Sequence, residues 1–148
     1  FDFKCLLVGK DLSATNNDLI SEIDKHGLQS HIVLLEQRND IPAIMNALDL
    51  HILSSSSEAF PNVIAEAMAC GTPCVSTDVG DAALIVGEAG WVVPAQDSRQ
   101  LASAITQALT LKQDSLKWLE LQNQARNRIL EYFSIETMIN KYHDVWNS

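Results

Sequence analysis

Short apolar runs alternate with segments of helical periodicity through the first two thirds of the chain. The runs are residues 4–9, 31–35, 49–54, 73–77 and 90–94. A polar or glycine-containing segment follows each of them. Runs of this length are typical of buried parallel strands. Their alternation with helical segments predicts an α/β fold, with a Rossmann-like parallel sheet and helices on both of its faces.

Only helical periodicity remains after the last of these runs. Asp97 is placed to cap a helix that ends near Leu111, and two further helices are predicted over 115–133 and 134–147. The apolar face predicted for the middle helix comprises Leu116, Leu119, Ile129 and Leu130.

The last helix has a long apolar stripe that needs a partner. The stripe comprises Ile135, Met138, Ile139, Tyr142, Val145 and Trp146. We expect this helix to be partly exposed, displaced or used in a dimer contact.

No repeat and no low-complexity linker interrupts the chain. We therefore predict a single domain over residues 1–148, of which 98–148 form a helical tail. The chain starts at Phe1, directly beside an apolar run, so we expect it to be a piece of a longer protein.

Composition excludes several classes of function. The 148 residues are 47% hydrophobic and have a formal net charge of −9. Nucleic acids and anionic lipid headgroups both favour basic partners, so neither is expected to bind here. No apolar run approaches the ~20 residues that a membrane-spanning helix needs. We expect a cytoplasmic protein.

The cysteines indicate free thiols. Cys5, Cys70 and Cys74 are odd in number and form no CxxC pair, and no paired histidines accompany them. This usage fits a reducing compartment, and we expect neither a disulfide nor a bound metal.

The stretch 54–73 is the strongest candidate for a functional site. A loop of small residues follows the third predicted strand and leads into a helix predicted over 61–70. Ligands of open α/β sheets bind beyond the carboxyl ends of the strands, and the free amides at a helix start suit a phosphate. Pro61 fits near that start because its missing N–H is not needed there.

Two carboxylates flank the helix start. Glu58 lies in the loop, and Glu66 is predicted to lean back over the turn that contains Asn62. Carboxylates accept hydrogen bonds from hydroxyl groups, so a phosphate with a polyol, as in a nucleotide sugar, fits this pattern. Both acids are equally compatible with solvated surface positions, and Phe60 with simple core filling.

Other common sites for phosphate binding or hydrolysis are missing from the sequence. The chain contains no Walker P-loop, no Gly-x-Gly-x-x-Gly and no Gly-x-Ser-x-Gly elbow beside its serine run.

The segment 58–75 resembles the E-x7-E signature of glycosyltransferase family 4, which comprises retaining enzymes of the GT-B fold. The similarity extends from the strand at residues 7–9, through 78–80 and 91–94, into the helical tail. It implies that the chain is the C-terminal, donor-binding half of such an enzyme.

The resemblance also implies roles for individual residues. Glu58 matches the first glutamate of the signature, which in the family faces the donor sugar near the reacting centre. Glu66 matches the second glutamate, which holds the ribose. The backbone that lines the sugar and phosphates is matched by Phe60, Pro61, Asn62 and Val63.

The chain departs from the family pattern in several places. Glu36 stands where the family often has glycine, and the segment 80–84 reads Gly-Asp-Ala-Ala-Leu where Gly-Gly-x-x-Glu is common. The family's first βα unit, which carries basic phosphate-binding residues, has no counterpart. Its strand would lie between those at 4–9 and 49–54, so we expect direct pairing of these two strands, another chain or a segment outside this sequence to close the gap.

The leading hypothesis is a hexosyltransferase half that needs no metal or other cofactor and takes a nucleotide-diphosphate sugar as donor. A sugar or lipid-linked acceptor would bind the N-terminal half. The expected products are envelope or exported polysaccharides made at the inner face of the membrane. The isolated chain should bind nucleotide weakly and transfer no sugar. A non-catalytic binding module for nucleotide sugars or sugar phosphates and a GT-B epimerase are the alternatives.

Overall fold

Strands and helices alternate as the sequence predicts. The structure, a computed structural model, describes residues 1–147. The strands are β1 (Cys5–Leu7), β2 (Ile32–Leu34), β3 (His51–Leu53), β4 (Cys74–Thr77) and β5 (Gly90–Val93). The helices are α1 (Asn17–Lys25), α2 (Ile41–Ala47), α3 (Asn62–Ala69), α4 (Ala82–Val86), α5 (Ser98–Leu111), α6 (Ser115–Tyr132) and α7 (Ile135–Trp146). The α/β prediction and the helical tail are confirmed.

The chain forms two compact units, and the first comprises Phe1–Ile41. In it β1 pairs in parallel with β2, with Cys5 opposite Ile32. Asn16 caps α1, since its side chain accepts a hydrogen bond from the amide of Leu19. The hydroxyl of Thr15 lies 2.7 Å from that of Ser13, so it is used within the preceding turn.

The second unit, Pro42–Ser148, is built on the parallel sheet β3-β4-β5. All four residues of the central strand β4 are buried. Val75 of β4 packs in one cluster with Ala104 and Ala108 of α5. The neighbouring Cys74 thiol lies 3.9 Å from the carbonyl oxygen of Ile64 in α3. Because successive strand residues point to opposite faces, helices cover both faces of this sheet.

The five strands do not form one sheet. Among residues 1–147, β1 pairs only with β2, and β3 pairs only with β4. The alternative in which β1 and β3 pair directly is therefore wrong. Closure by another chain or by a segment outside this sequence stays a prediction.

The predicted apolar face of α6 is wrong except at one residue. The buried positions are Trp118, Leu121, Ala125 and Ile129, whereas Leu116, Leu119 and Leu130 are exposed. The buried set has a helical spacing of its own, and α6 packs with it against α3. Two apolar stripes therefore share one helix, and tertiary packing selects the one that contains Trp118.

Two arginines of α6 donate hydrogen bonds to carbonyl groups at the C-terminal ends of other helices in the second unit. Arg126 donates a 2.6 Å hydrogen bond to the carbonyl oxygen of Ala69, the last residue of α3. Arg128 donates to the carbonyl oxygens of Leu84 and Ile85 near the end of α4, at 2.7 and 2.8 Å. The last carbonyls of a helix lack intrahelical partners and carry partial negative charge, so the guanidinium groups stabilise both helix ends.

Helix α7 has no buried residue. Its stripe is exposed as expected, from 50% at Met138 to 85% at Trp146. The predicted dimer contact is a separate matter and stays a prediction.

Candidate functional site

The loop between β3 and α3 carries Glu58, Phe60 and Pro61, half of the predicted site residues, and Thr77 fixes its first part. Thr77 is the last residue of the buried strand β4. Its hydroxyl donates a hydrogen bond to the carbonyl oxygen of Ser55 at 2.7 Å and lies 3.4 Å from that of Leu53. The path of the loop beyond β3 is thereby tied to the carboxyl end of the neighbouring strand.

A second attachment holds the middle of the loop. The amide of Asp81 donates to the carbonyl oxygen of Ala59 at 3.0 Å. Gly80 has a positive φ of 51° and lies so close that a Cβ would be 2.1 Å from the same oxygen. Only glycine fits this approach, which explains why the turn after β4 begins with that residue.

Glu58 lies between these two attachments with its side chain in solvent. The hydroxyl of Ser55 donates to its Oε1 at 2.9 Å. Within residues 1–147, its other carboxylate oxygen has no hydrogen-bond partner. The carboxylate is held through one oxygen, and the other is left without a protein partner in this part of the chain.

Helix α3 starts without a side-chain cap. Pro61 is its N-cap residue and supplies no capping hydrogen bond. The amide of Asn62 donates to the carbonyl oxygen of Phe60 at 2.9 Å, and that of Ile64 to the carbonyl of Pro61 at 3.0 Å. An uncapped helix start of this kind favours an anion, because the remaining first-turn amides point outwards.

The other predicted site residues surround this helix start. Asn62, Val63 and Glu66 are exposed on α3, and Pro61 is buried beneath them. The carboxylate of Glu66 has no hydrogen bond or ion pair with any residue of the described chain. Whether Glu58 and Glu66 contact the same ligand stays a prediction.

Phe60 is not simple core filling. Its side chain is 40% exposed, and its ring lies 6.3 Å from that of Phe133 at an interplanar angle of 54°. Phe133 ends α6 and precedes α7. The loop is therefore in contact with the C-terminal end of α6.

Three residues that hold the loop are not predicted from the sequence. The pattern marks Ser55 only as a small loop residue and Thr77 only as part of a strand, and Gly80 stands only in the segment that departs from the family pattern. A threonine at the end of a buried strand is a weak signal by itself. It becomes informative only when the preceding parallel strand ends in a polar loop, because the two ends then meet at one edge.

Burial keeps two of the three thiols neutral. All three cysteines are free. Burial raises the pKa of the Cys74 thiol strongly and that of Cys5 to a smaller extent, so both remain neutral. The prediction of free thiols is confirmed.

No helix within residues 1–147 is long and apolar enough to cross a bilayer.

Comparisons with known proteins point to one family. The family described as "Glycosyl transferases group 1" matches residues 2–111. N-acetyl-alpha-D-glucosaminyl L-malate synthase of Bacillus anthracis is 26% identical over 147 residues, which are 98% of this chain and 37% of that protein.

Two solved structures have the same fold. A glycosyltransferase from Rickettsia africae ESF-5 superposes with a TM-score of 0.85 at 25% identity, over 98% of this chain and 39% of that one. Anabaena HepE in complex with UDP-glucose superposes with a TM-score of 0.80 at 27% identity, over 97% and 40%. The chain thus spans about two fifths of the length of the proteins that it matches.

Proposed function

Because the chain belongs to the glycosyl transferases group 1 family, we propose that it is the donor-binding half of a family 4 glycosyltransferase. The whole protein transfers a sugar from a nucleotide-diphosphate sugar to an acceptor, with retention of the anomeric configuration. The acceptor binds the part of the protein that lies outside this sequence.

The observation that carries this proposal is the arrangement of Glu58 and the start of α3. A half-free carboxylate in solvent and an uncapped helix start are joined by three residues, Ala59 to Pro61. The helix start suits the diphosphate, and the carboxylate suits a hydroxyl of the donor sugar. The UDP-glucose complex of HepE supports a nucleotide sugar as the ligand class.

Each site residue has a role in this proposal. Glu58 contacts the donor sugar at the reacting centre, and Glu66 binds the ribose. The backbone of Phe60, Pro61, Asn62 and Val63 lines the sugar and the phosphates. Positive charge at the helix start stabilises the departing diphosphate, and basic residues upstream of this sequence supply the rest.

The reaction needs no metal ion, and the protein works in the cytoplasm or at the inner face of the membrane. Its product belongs to a cell-envelope or exported polysaccharide.

The experiment uses the full-length protein with UDP-, GDP- and ADP-sugars, an acceptor library and EDTA. We expect the enzyme to transfer sugar from one donor class in the presence of EDTA. NMR of the product should show that the anomeric configuration is retained. Glu58→Gln should lower kcat by about 100-fold, while Glu66→Gln should mainly raise the donor KM. Glu120→Gln, at an exposed position of α6, is the matched control.

Three results contradict the proposal. Donor binding without transfer to any acceptor indicates the non-catalytic module. Product formation without an acceptor indicates an epimerase. Full activity of Glu58→Gln removes the assigned role of that carboxylate.

A further inference from the structure

The Glu58 carboxylate is attached to the sheet through two successive hydrogen bonds. The first joins Thr77 to the loop backbone. Thr77 is 3% exposed, and its hydroxyl has a single proton to donate. The carbonyl oxygen of Ser55, at 2.7 Å, is its better partner, since that of Leu53 is at 3.4 Å. A buried strand end thereby fixes the backbone of Ser55.

The second hydrogen bond joins Ser55 to the carboxylate itself. The Ser55 hydroxyl donates to Oε1 of Glu58 at 2.9 Å across three residues of the loop. Glu58 is exposed, so burial does not fix the position of its side chain. The hydroxyl of Ser55 is the one side-chain donor to this carboxylate within residues 1–147.

The neighbouring serines show that this arrangement is specific to one position. Ser54, Ser56 and Ser57 make no side-chain hydrogen bond to any residue in the part of the chain that the structure describes. A loop that needed only small polar residues would use these hydroxyls alike. The contact between Ser55 and Glu58 therefore concerns the carboxylate, beyond the general polarity of the loop.

We propose that Ser55 and Thr77 are positioning residues for Glu58. Thr77 fixes the Ser55 backbone, and Ser55 holds the carboxylate so that its second oxygen faces the donor sugar. Holding a reacting group in place before the substrate arrives removes the need to order it during the reaction, which favours kcat over donor binding. This inference rests on the proposed function of Glu58.

The test compares variants of the full-length enzyme in steady-state sugar transfer. We expect Ser55→Ala to lower kcat by about 10-fold with the donor KM changed less than about two-fold. Ser57→Ala, which removes a hydroxyl without a partner, should leave both constants unchanged. Thr77→Val should lower kcat. Thr77→Ser, which keeps the hydroxyl, should have a kcat close to that of the wild type.

A double-mutant cycle separates positioning from a purely structural effect. If Ser55 acts through Glu58, Ser55→Ala should have less than about a two-fold effect on kcat in a Glu58→Gln background. A purely structural effect would lower kcat equally in both backgrounds and would overturn the proposal. Wild-type kcat in Ser55→Ala would overturn it as well.

The failures of the two proposals are distinguishable. If the wild-type enzyme transfers no sugar, the proposed function fails and the positioning roles fail with it. If it transfers sugar and Ser55→Ala behaves like Ser57→Ala, only the positioning roles fail. Should Thr77→Val not fold, Ser55→Ala and Thr77→Ser still decide the outcome.

Discussion

The backbone of Gly80 lies directly against the carbonyl group of Ala59, in the loop that carries Glu58. A Cβ at residue 80 would be 2.1 Å from the Ala59 oxygen and 2.5 Å from that of Glu58. The turn after β4 and the loop after β3 therefore fit each other without space for a side chain. The shape of the candidate site depends on this contact.

We predict that Gly80→Ala displaces the loop. The new methyl group meets backbone atoms that cannot rotate away, and the residue has a positive φ. The expected loss in free energy of unfolding is more than about 2 kcal/mol, measured by chemical denaturation, together with weaker donor binding.

Gly71→Ala is the matched control. Gly71 also has a positive φ, but a Cβ there would meet its nearest atom at an ordinary 3.8 Å. This variant should cost only the backbone strain, about 1 kcal/mol. Equal losses for both variants would show that the contact with Ala59 is unimportant.

At Glu36, a substitution is expected to increase stability. It has a φ of 53°, and its carbonyl oxygen accepts a hydrogen bond from the amide of Gly9 at 2.8 Å. Glycine adopts this left-handed backbone without the strain that a side chain causes. Glu36→Gly should stabilise the first unit by about 0.5–1 kcal/mol, measured by hydrogen exchange of the β1 and β2 amides.

Gln37→Gly, in the same loop but without a positive φ, should instead destabilise that unit. Stabilisation by both variants would point to a general effect of glycine in this loop.

We expect His51 to make the free energy of unfolding depend on pH. Its Nε2 is buried without a hydrogen-bond partner in the described chain, and burial lowers its pKa from 6.5 to about 4. Between these values the unfolded state binds more protons than the folded state, so the free energy of unfolding falls as the pH falls from 6.5 towards 4. At pH 5 the expected loss is up to about 2 kcal/mol relative to pH 7.

His51→Gln removes the titrating group, so its loss of stability between pH 7 and pH 5 should be smaller than that of the wild type. Denaturation at the two pH values measures this difference, and an NMR titration gives the pKa of His51 directly. A measured pKa near 6.5 would contradict the prediction.

We expect Arg128 of α6 to stabilise α4. Its guanidinium group donates to Leu84 and Ile85, and it also stacks over the ring of Tyr132 at 5.4 Å. Arg128→Met keeps much of the length of the side chain but leaves two carbonyl groups without these donors. We expect a loss of about 1–3 kcal/mol in the free energy of unfolding.

Arg99→Met serves as the control for Arg128→Met, because the exposed side chain of Arg99 makes no hydrogen bond to residues 1–147. A similar loss in both variants would assign the effect to charge alone, since each removes one positive charge.

The sequence predicted the elements well because each one has a strong local signal. Asp97 caps α5 through the amides of Arg99 and Gln100, and Ser134 caps α7 through that of Thr137. Each cap is a short polar residue before a helical pattern, so no distant contact is needed to recognise it.

Contacts between elements that are distant in the chain were harder to predict from the sequence. Nothing local distinguishes the stripe of α6 that contains Leu119 from the one that contains Leu121, and only packing against α3 makes the choice. The same applies to the site. Glu58 and the helix start are visible in the sequence, whereas the attachment of Ser55 to Thr77 joins the loop after β3 to the end of β4, 22 residues further along the chain. The roles of Glu58 and Glu66 remain predictions.

The hydrogen bonds from α6 have a consequence for how the chain should be divided. The family match ends at residue 111, the last residue of α5. Yet Arg126 and Arg128 complete the ends of α3 and α4, and Ala125 and Ile129 are buried. The segment that the family matches and the cooperatively folding unit therefore have different boundaries, and an expression fragment cut at residue 111 would lack groups that complete α3 and α4.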